Sequence, residues 1–441
     1  MADRMDTQQR FALTERHPDD VIAYRASATI PVGQLLAEAF ALSTLLPRNR
    51  YVINLHTDRY AYLRAVCAAV IAGQCTLMPP NRQPQTINEL KSRYADSYVY
   101  DPSCEDGIAD ALPGHDVRTP EISADQLCAI AFTSGSTGAP KANPKYWETI
   151  RSGSLSNRSL LLGDRQQLAN MVATVPSQHM WGFETSVLLP LFANVAISYQ
   201  SPFFPQDIAD ALASLPSPRL LVSSPVHLEA LLRSGVQLPR IETVYTATAP
   251  LGRDLAASLE DAFATNVLDV FGCSEAGILA ARKTSADELW KLSEVFGFRI
   301  REDGVEVSAS HLPETVLMPD IVELQGEHQF RWIGRQQDMV NIAGKRGSLA
   351  DLNQRLRGIP GVDDGVIFMP ADDSNRLAAL VVAPKVSSSD ILNALASQVE
   401  PLFLPRPIVH VSNLPRQETG KLPLGAVRSM FTESRRPGDT D

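Results

Sequence analysis

Cysteine is scarce and poorly spaced for metal or disulfide chemistry. The five residues Cys67, Cys75, Cys104, Cys128 and Cys273 contain no CxxC pair, so neither a zinc site nor a disulfide framework is expected. Long apolar runs are missing too: no stretch approaches the ~20 residues needed to cross a bilayer, and Met1 to Asp6 carries no apolar signal core. No membrane partner is expected, and a reducing cytoplasm is the expected location. Positive charge is also in deficit, with 40 Lys and Arg against 50 Asp and Glu and a net charge of −10. That balance argues against bulk nucleic-acid binding, although Arg346, Arg355 and Arg357 can form a local basic patch. Internal repeats are absent. The phosphate loop GxxxxGK[ST] does not fit, and no DFG or HRD segment occurs, which disfavours a P-loop or protein kinase.

What remains is a globular composition, 44% hydrophobic and 20% charged over 441 residues, enough for two to three domains. From about residue 50 to 270, short β-rich runs alternate with helical patterns. The runs begin at Tyr51, Ser97, Leu127, Met171, Val195, Leu220, Thr243 and Val267; helical patterns start near Arg59, Trp181, Gln206, Pro225 and Gly252. Such alternation predicts crossover units and mainly parallel sheets covered on both faces. Residues 281–333 lose the rhythm and read as short antiparallel strands. A boundary is expected near Trp332–Asp338. Beyond it, Ser348 and Asp351 form a capping-box pattern ahead of Leu349, Leu352, Leu356 and Ile359 at helical spacing. The runs from Gly365 and Ala378, a turn at Ser387–Ser389 and the run from Ile408 fit a small α+β domain.

One segment carries most of the chemistry. The apolar run Leu127–Phe132 empties into Thr133, Ser134, Gly135, Ser136, Thr137 and Gly138, followed by Lys141. Exposed backbone N–H groups, several hydroxyls and one cation at the carboxyl end of a strand suit a polyphosphate. The competing reading is a Ser/Gly linker, which would rarely follow a buried strand.

This loop resembles the phosphate-binding signature of the adenylate-forming superfamily, which includes acyl-CoA synthetases, aryl-acid ligases, luciferases and adenylation domains. Further segments follow in the family's order. Val175-Pro-Ser-Gln-His179 resembles the acyl-pocket PxxH segment. Tyr245–Gly252 resembles the segment beside adenine, with Ala247 and Thr248 where the family usually has glycine. Asp269–Glu275 resembles YGxTE, with Phe271, Gly272 and Ser274 in the motif positions. Gly334-Arg335 resembles the hinge motif, with Gln337 where Asp or Lys is usual, and Asn341–Arg346 resembles the mobile loop containing Gly344. Leu414–Leu422 resembles the catalytic-lysine motif.

The resemblance implies an α/β protein with a large N-terminal domain of mainly parallel, helix-covered sheets plus a small β-barrel-like part, residues 1–335. A small mobile α+β domain, 336–435, and a tail, 436–441, would follow. It implies ATP and Mg²⁺, with Lys421, His179 and Glu275 catalytic and Glu275 also organising the metal. Thr133–Gly138, Lys141, Thr248, Ala249, Pro250, Phe271, Gly272, Ser274, Asp320 and Arg335 would hold the nucleotide. His179, Met180, Trp181 and Gly344 would face the acyl substrate or incoming thiol.

The implied reaction is ATP-dependent ligation of a small carboxylic acid, through acyl-AMP, to the phosphopantetheine thiol of holo acyl carrier protein or CoA. Met180 stands where amino-acid-activating relatives carry aspartate and 2-hydroxybenzoate users carry asparagine. An aromatic acid without an ortho hydroxyl, or a fatty acid, is therefore expected, unless Glu184 takes the aspartate's role. The compact chain resembles stand-alone ligases that load carrier proteins. The alternatives are an enzyme like an amino-acid adenylation domain, a non-catalytic nucleotide-binding homologue and a luciferase-like oxygenase.

Overall fold

The computed structural model describes residues 9–26, 28–100, 102–112, 118–133, 141–342, 345–371, 374, 376–416 and 422–434. Their contacts divide the chain into two units. One comprises residues up to Ala247, Arg253–Gly297 and Val307–Val316; the other comprises Thr248–Gly252, Phe298–Glu306 and everything from Leu317.

The first unit is built on two sheets. In one, the order is Ser97–Val99, Tyr51–Ile53, Cys75–Met78, Leu127–Thr133 and Lys141–Tyr146. The first four are parallel and the last pairs antiparallel with Leu127–Thr133. Pro144 lies in that last strand, at the sheet edge where a missing donor costs least. The second sheet runs, within this unit, from Trp290–Leu292 through Gly277–Arg282, Asn266–Cys273, Thr243–Thr246, Arg219–Ser223, Ala169–Ala173, Val195–Ser198 and Val21–Arg25 to Ala28–Pro31. Its middle strands are parallel, and antiparallel pairs close both ends. The central strands are apolar throughout because both faces are covered: Leu220, Leu221 and Val222 have no exposed surface.

Helices occupy the faces. Arg59–Ile71 is capped by Asp58, whose carboxylate accepts from the Ala61 N–H at 2.9 Å. It is buried on all sides, as its run of alanine, leucine and valine demands. At its start Arg59 is fully enclosed. Its guanidinium donates to the carbonyls of Ala173 and Val175 at 2.6 Å each, to Gln200 O at 3.2 Å, and to the hydroxyls of Ser186 and Ser177 at 2.8 and 3.2 Å. Burial, with Arg82 nearby, pulls its pKa down to about 9.

The second unit holds the hairpin Asp320–Leu324 with Gln329–Arg335 and the hairpin Met339–Ile342 with Lys345–Ser348. Ser348 caps the helix Leu349–Arg357 by accepting from the Asp351 N–H at 3.4 Å, as the capping-box pattern predicts. A three-stranded sheet follows, Asp364–Phe368 antiparallel to Ala378–Val382 and Ala378–Val382 parallel to Ile408–His410. The Ser387–Ser389 segment, expected as a turn, instead starts the helix Ser388–Ala396, because the Ser387 hydroxyl accepts from the Asp390 N–H. The chain closes this unit with the helix Leu424–Glu433.

Replacing Arg59 with methionine leaves two carbonyls at the strand ends without their charged donor. The expected loss is about 3 kcal/mol or more, read as a lowered midpoint in urea unfolding.

Candidate active site

Of the residues expected from the sequence to bind phosphate and organise metal, Lys141 and Glu275 meet in the first unit. Leu127–Thr133 and Lys141–Tyr146 form a hairpin with Thr133 opposite Lys141. Ser134, Gly135, Ser136, Thr137 and Gly138 lie outside the described residues, as do Gly344 and Lys421. Period-two alternation puts Lys141, Asn143 and Lys145 on one face of the edge strand. Lys141 is largely exposed, whereas Asn143 and Lys145 are buried.

A second hairpin supplies the acid. Asn266–Cys273 turns back into Gly277–Arg282 with Cys273 opposite Gly277, so Glu275 stands at the tip. The Lys141 ammonium donates to Glu275 Oε1 at 2.9 Å, joining positions 134 residues apart. Burial raises the Glu275 pKa and is overcome by the hydrogen bond and charge of Lys141 and by Lys145, leaving the carboxyl below its ordinary value. The Lys145 ammonium donates to the Glu275 backbone carbonyl at 2.6 Å. The neighbouring Cys273 thiol is pushed up to about 12 by burial, so it offers no thiolate.

A metal held here would have Glu275 as its protein carboxylate. Among the described residues no cluster of three or more His, Cys, Asp or Glu is assembled. A single ionised carboxylate is compatible with Mg²⁺ where phosphates and water complete its shell.

The segment resembling the acyl-pocket motif leads into a shaped helix. Met180–Phe183 continues into a π-helical turn, Glu184–Leu188, and then Leu189–Phe192. Pro190 cannot donate to the carbonyl of Ser186, and the hydroxyls of Thr185 and Ser186 bond the carbonyls of Trp181 and Gly182 at 2.6 Å each. Both effects widen a helix locally. His179 and Met180 are half-buried, and Trp181 is buried with its indole N–H donating to Ser223 O at 3.2 Å. Gly182 is obligatory, since a Cβ there would lie 2.1 Å from Pro176 O.

In the second unit, Asp320 and Arg335 face each other across their hairpin. The nearly enclosed Asp320 carboxylate accepts from Trp332 Nε1 at 2.8 Å and Arg335 Nε at 3.4 Å. Arg335 remains about half exposed. Desolvation raises the pKa of Asp338 nearby. In the segment resembling the catalytic-lysine motif, Arg416 grips Asp364 through two bonds of 2.7 and 2.6 Å, fixing the chain five residues ahead of Lys421.

Residues 58–310, more than half of the chain, match the AMP-binding enzyme family. The chain belongs to that family. Among curated relatives, 4-coumarate–CoA ligase of Rhodobacter capsulatus is 26% identical over 71% of this chain and 78% of its own length. The 3-hydroxybenzoate–CoA/4-hydroxybenzoate–CoA ligase of Thauera aromatica is 23% identical over 95% of this chain and 86% of its own. Among solved structures, ATP-bound MatB from Rhodopseudomonas palustris superposes with a TM-score of 0.80 at 20% identity, over 95% of this chain and 97% of that one. The α/β architecture expected from the alternating sequence pattern is thus the family's fold.

In this AMP-binding enzyme, the departure from glycine beside the expected adenine position has a conformational correlate. Thr248 adopts φ +81°, a region that glycine enters freely and a β-branched residue enters at a cost of about 1–3 kcal/mol. Ala249 and Pro250 follow it in the second unit. Phe271 packs on Trp290 with centroids 5.4 Å apart, while Gly272 and Ser274 flank Cys273 in the Glu275 hairpin. Sequence reasoning passed over Lys145 and weighed Glu184 only as a partner for a substrate amine. The available signals were a lysine at an inward strand position and a lone charge inside an otherwise uncharged helix.

Two measurements follow from this geometry. Thr248→Gly trades backbone strain for chain entropy and is expected to raise stability by up to about 1 kcal/mol, visible as a higher melting temperature. Burial pushes the Asp269 carboxyl up to about 7, with Arg282 and Thr284 opposing. Its protonated form is favoured in the native state, so this contribution is full below about pH 3.8 and is lost as pH rises through about 7. The stability of wild type relative to Asp269→Asn is therefore expected to fall across that window, as measured by denaturation at a series of pH values.

Proposed function

We propose that this protein is an ATP-dependent ligase that converts a carboxylic acid to its acyl-AMP and then to a thioester. The observation that carries the reading is the Lys141–Glu275 contact, which brings the polyphosphate loop's cation to the acid at the tip of the Phe271–Glu275 motif. The substrate is an aromatic acid without an ortho hydroxyl, or a fatty acid. Met180, apolar and adaptable, offers neither the carboxylate that would pair an amine nor the amide that would bind a 2-hydroxyl. Glu184 is not free to substitute, because its Oε1 already accepts from the Ile278 N–H. The 4-coumarate and hydroxybenzoate ligases among the relatives favour the aryl class. The acceptor is the phosphopantetheine thiol of holo acyl carrier protein or of CoA, and the setting is the cytoplasm.

The barrier to the first step is repulsion between the substrate carboxylate and the ATP phosphates, so catalysis is positioning plus charge neutralisation. The Thr133–Gly138 loop holds the β- and γ-phosphates, while Lys141 neutralises charge beside them. Glu275 would hold Mg²⁺, which would supply charge screening for the phosphate oxygens. Thr248, Ala249 and Pro250 line the base, Phe271, Gly272 and Ser274 support the nucleotide, and Asp320 with Arg335 engages ribose. His179 with Trp181 orients the acid as its carboxylate attacks the α-phosphate, expelling pyrophosphate. Lys421, on a small C-terminal domain spanning 336–435, bridges carboxylate and α-phosphate. That domain then turns about Gly334-Arg335 to present Gly344 to the thiol.

The test separates the half-reactions. Lys421→Ala is expected to lower ATP–pyrophosphate exchange by about 10²–10³-fold or more, yet to leave thioester formation from preformed acyl-AMP near wild type. Equal loss in both halves would overturn the assigned role. A panel of acids, run with CoA and then with holo carrier protein, identifies substrate and acceptor.

A further inference from the structure

Two buried charges outside the roles assigned above converge on the turn that carries Glu275. Lys145 is 4% exposed, yet its ammonium points into the protein and donates to the Glu275 carbonyl at 2.6 Å. Glu184, also buried, opens the π-helical turn. Its Oε1 accepts from the Ile278 N–H at 3.1 Å and from Asn157 Nδ2 at 3.4 Å. Gly277 makes room for it. That residue has φ +87°, and a Cβ there would come within 2.5 Å of Glu184 Oε1.

The four-residue segment Glu275–Ile278 is thus gripped at its two ends, by the Lys145 ammonium on the first carbonyl and a Glu184 carboxyl oxygen on the last N–H. Burial lowers the pKa of Lys145 and raises that of Glu184, and each group opposes that shift in the other, Glu184 being the foremost charge favouring ionised Lys145 and Lys145 the foremost influence favouring ionised Glu184. Surface fixation by Lys141 alone would be weak, because that lysine is 63% exposed.

We propose that Lys145 and Glu184 are positioning residues that set the backbone of the Glu275 turn so that its carboxylate meets the metal–phosphate assembly. The proposal rests on the reading of Glu275 as the magnesium carboxylate. Neither residue touches substrate. Their effect is transmitted through one carbonyl and one N–H, and it concerns how strongly bound metal reinforces nucleotide binding.

The double variant K145M/E184Q removes both charges together, leaving no lone charge buried, and retains an oxygen for the Ile278 N–H. Calorimetric titration of ATP with and without Mg²⁺ gives the factor by which metal strengthens binding. In the double variant this factor is expected to fall at least tenfold, with metal-free ATP affinity within about twofold of wild type and the melting temperature within a few degrees. The Mg²⁺ concentration for half-maximal pyrophosphate exchange should rise in parallel, while thioester formation from preformed acyl-AMP stays unchanged. Lys145→Met alone should melt below the double variant, because it strands the Glu184 charge. A double variant that retains the full metal-dependent gain overturns the positioning role and leaves the ligase reading intact. A wild-type protein whose ATP binding gains nothing from Mg²⁺ overturns both.

Discussion

A guanidinium satisfied by neutral oxygens ties this molecule together where its chemistry begins. Arg59 reaches from the start of a buried helix to the carboxyl end of Ala169–Ala173, to Val175 and to two serines. Strand ends in a parallel sheet leave carbonyls pointing into a crevice, and water would normally satisfy them. Here one side chain does so from within, closing that part of the crevice to solvent and fixing the path of Val175–His179. The helix carrying Met180, Trp181 and Glu184 leaves from that point, so its direction depends on the same cation.

Several charges inside the first unit are used on backbone. Arg16 donates to the carbonyls of Val21 and Val195, Arg59 to those of strand ends, Lys145 to that of Glu275, and Glu184 accepts from Ile278. An interior charge costs several kcal/mol to desolvate. It is retained where hydrogen bonds recover most of that cost, and the outcome is a loop with one conformation instead of several. The Glu275 turn is the clearest instance: its half-buried carboxylate faces Lys141, while its backbone is held by Lys145 and Glu184.

Much of this was legible in the chain. Leu220–Ser223 and Val195–Tyr199 stand out because strands buried on both faces must be apolar without interruption, and the observed strands Arg219–Ser223 and Val195–Ser198 fall there. The helix Arg59–Ile71 reads from its dense apolar spacing. Trp147–Leu162 does not, since Ser152, Ser154, Ser156, Asn157 and Ser159 give it weak intrinsic helicity. Tertiary partners stabilise it instead: Ser156 meets Ser293 at 2.7 Å, and Asn157 meets Glu184. The hairpin Val21–Arg25 with Ala28–Pro31 also escaped notice, its strands being too short to set a period. Within the site, motif residues such as Lys141 and Glu275 declare themselves by spacing. Lys145 declares itself only when strand register shows which way it points.

The reciprocal burial of Lys145 and Glu184 constrains how this sequence can drift. Losing either one first abandons its counterpart in a medium of low polarity, and Gly277 cannot acquire a side chain while that carboxylate lies against it. Escape therefore demands near-simultaneous replacement at positions 145 and 184, a route that single-nucleotide changes seldom supply. An arrangement of modest energetic worth can persist for that reason alone, locked in by the height of the valley around it.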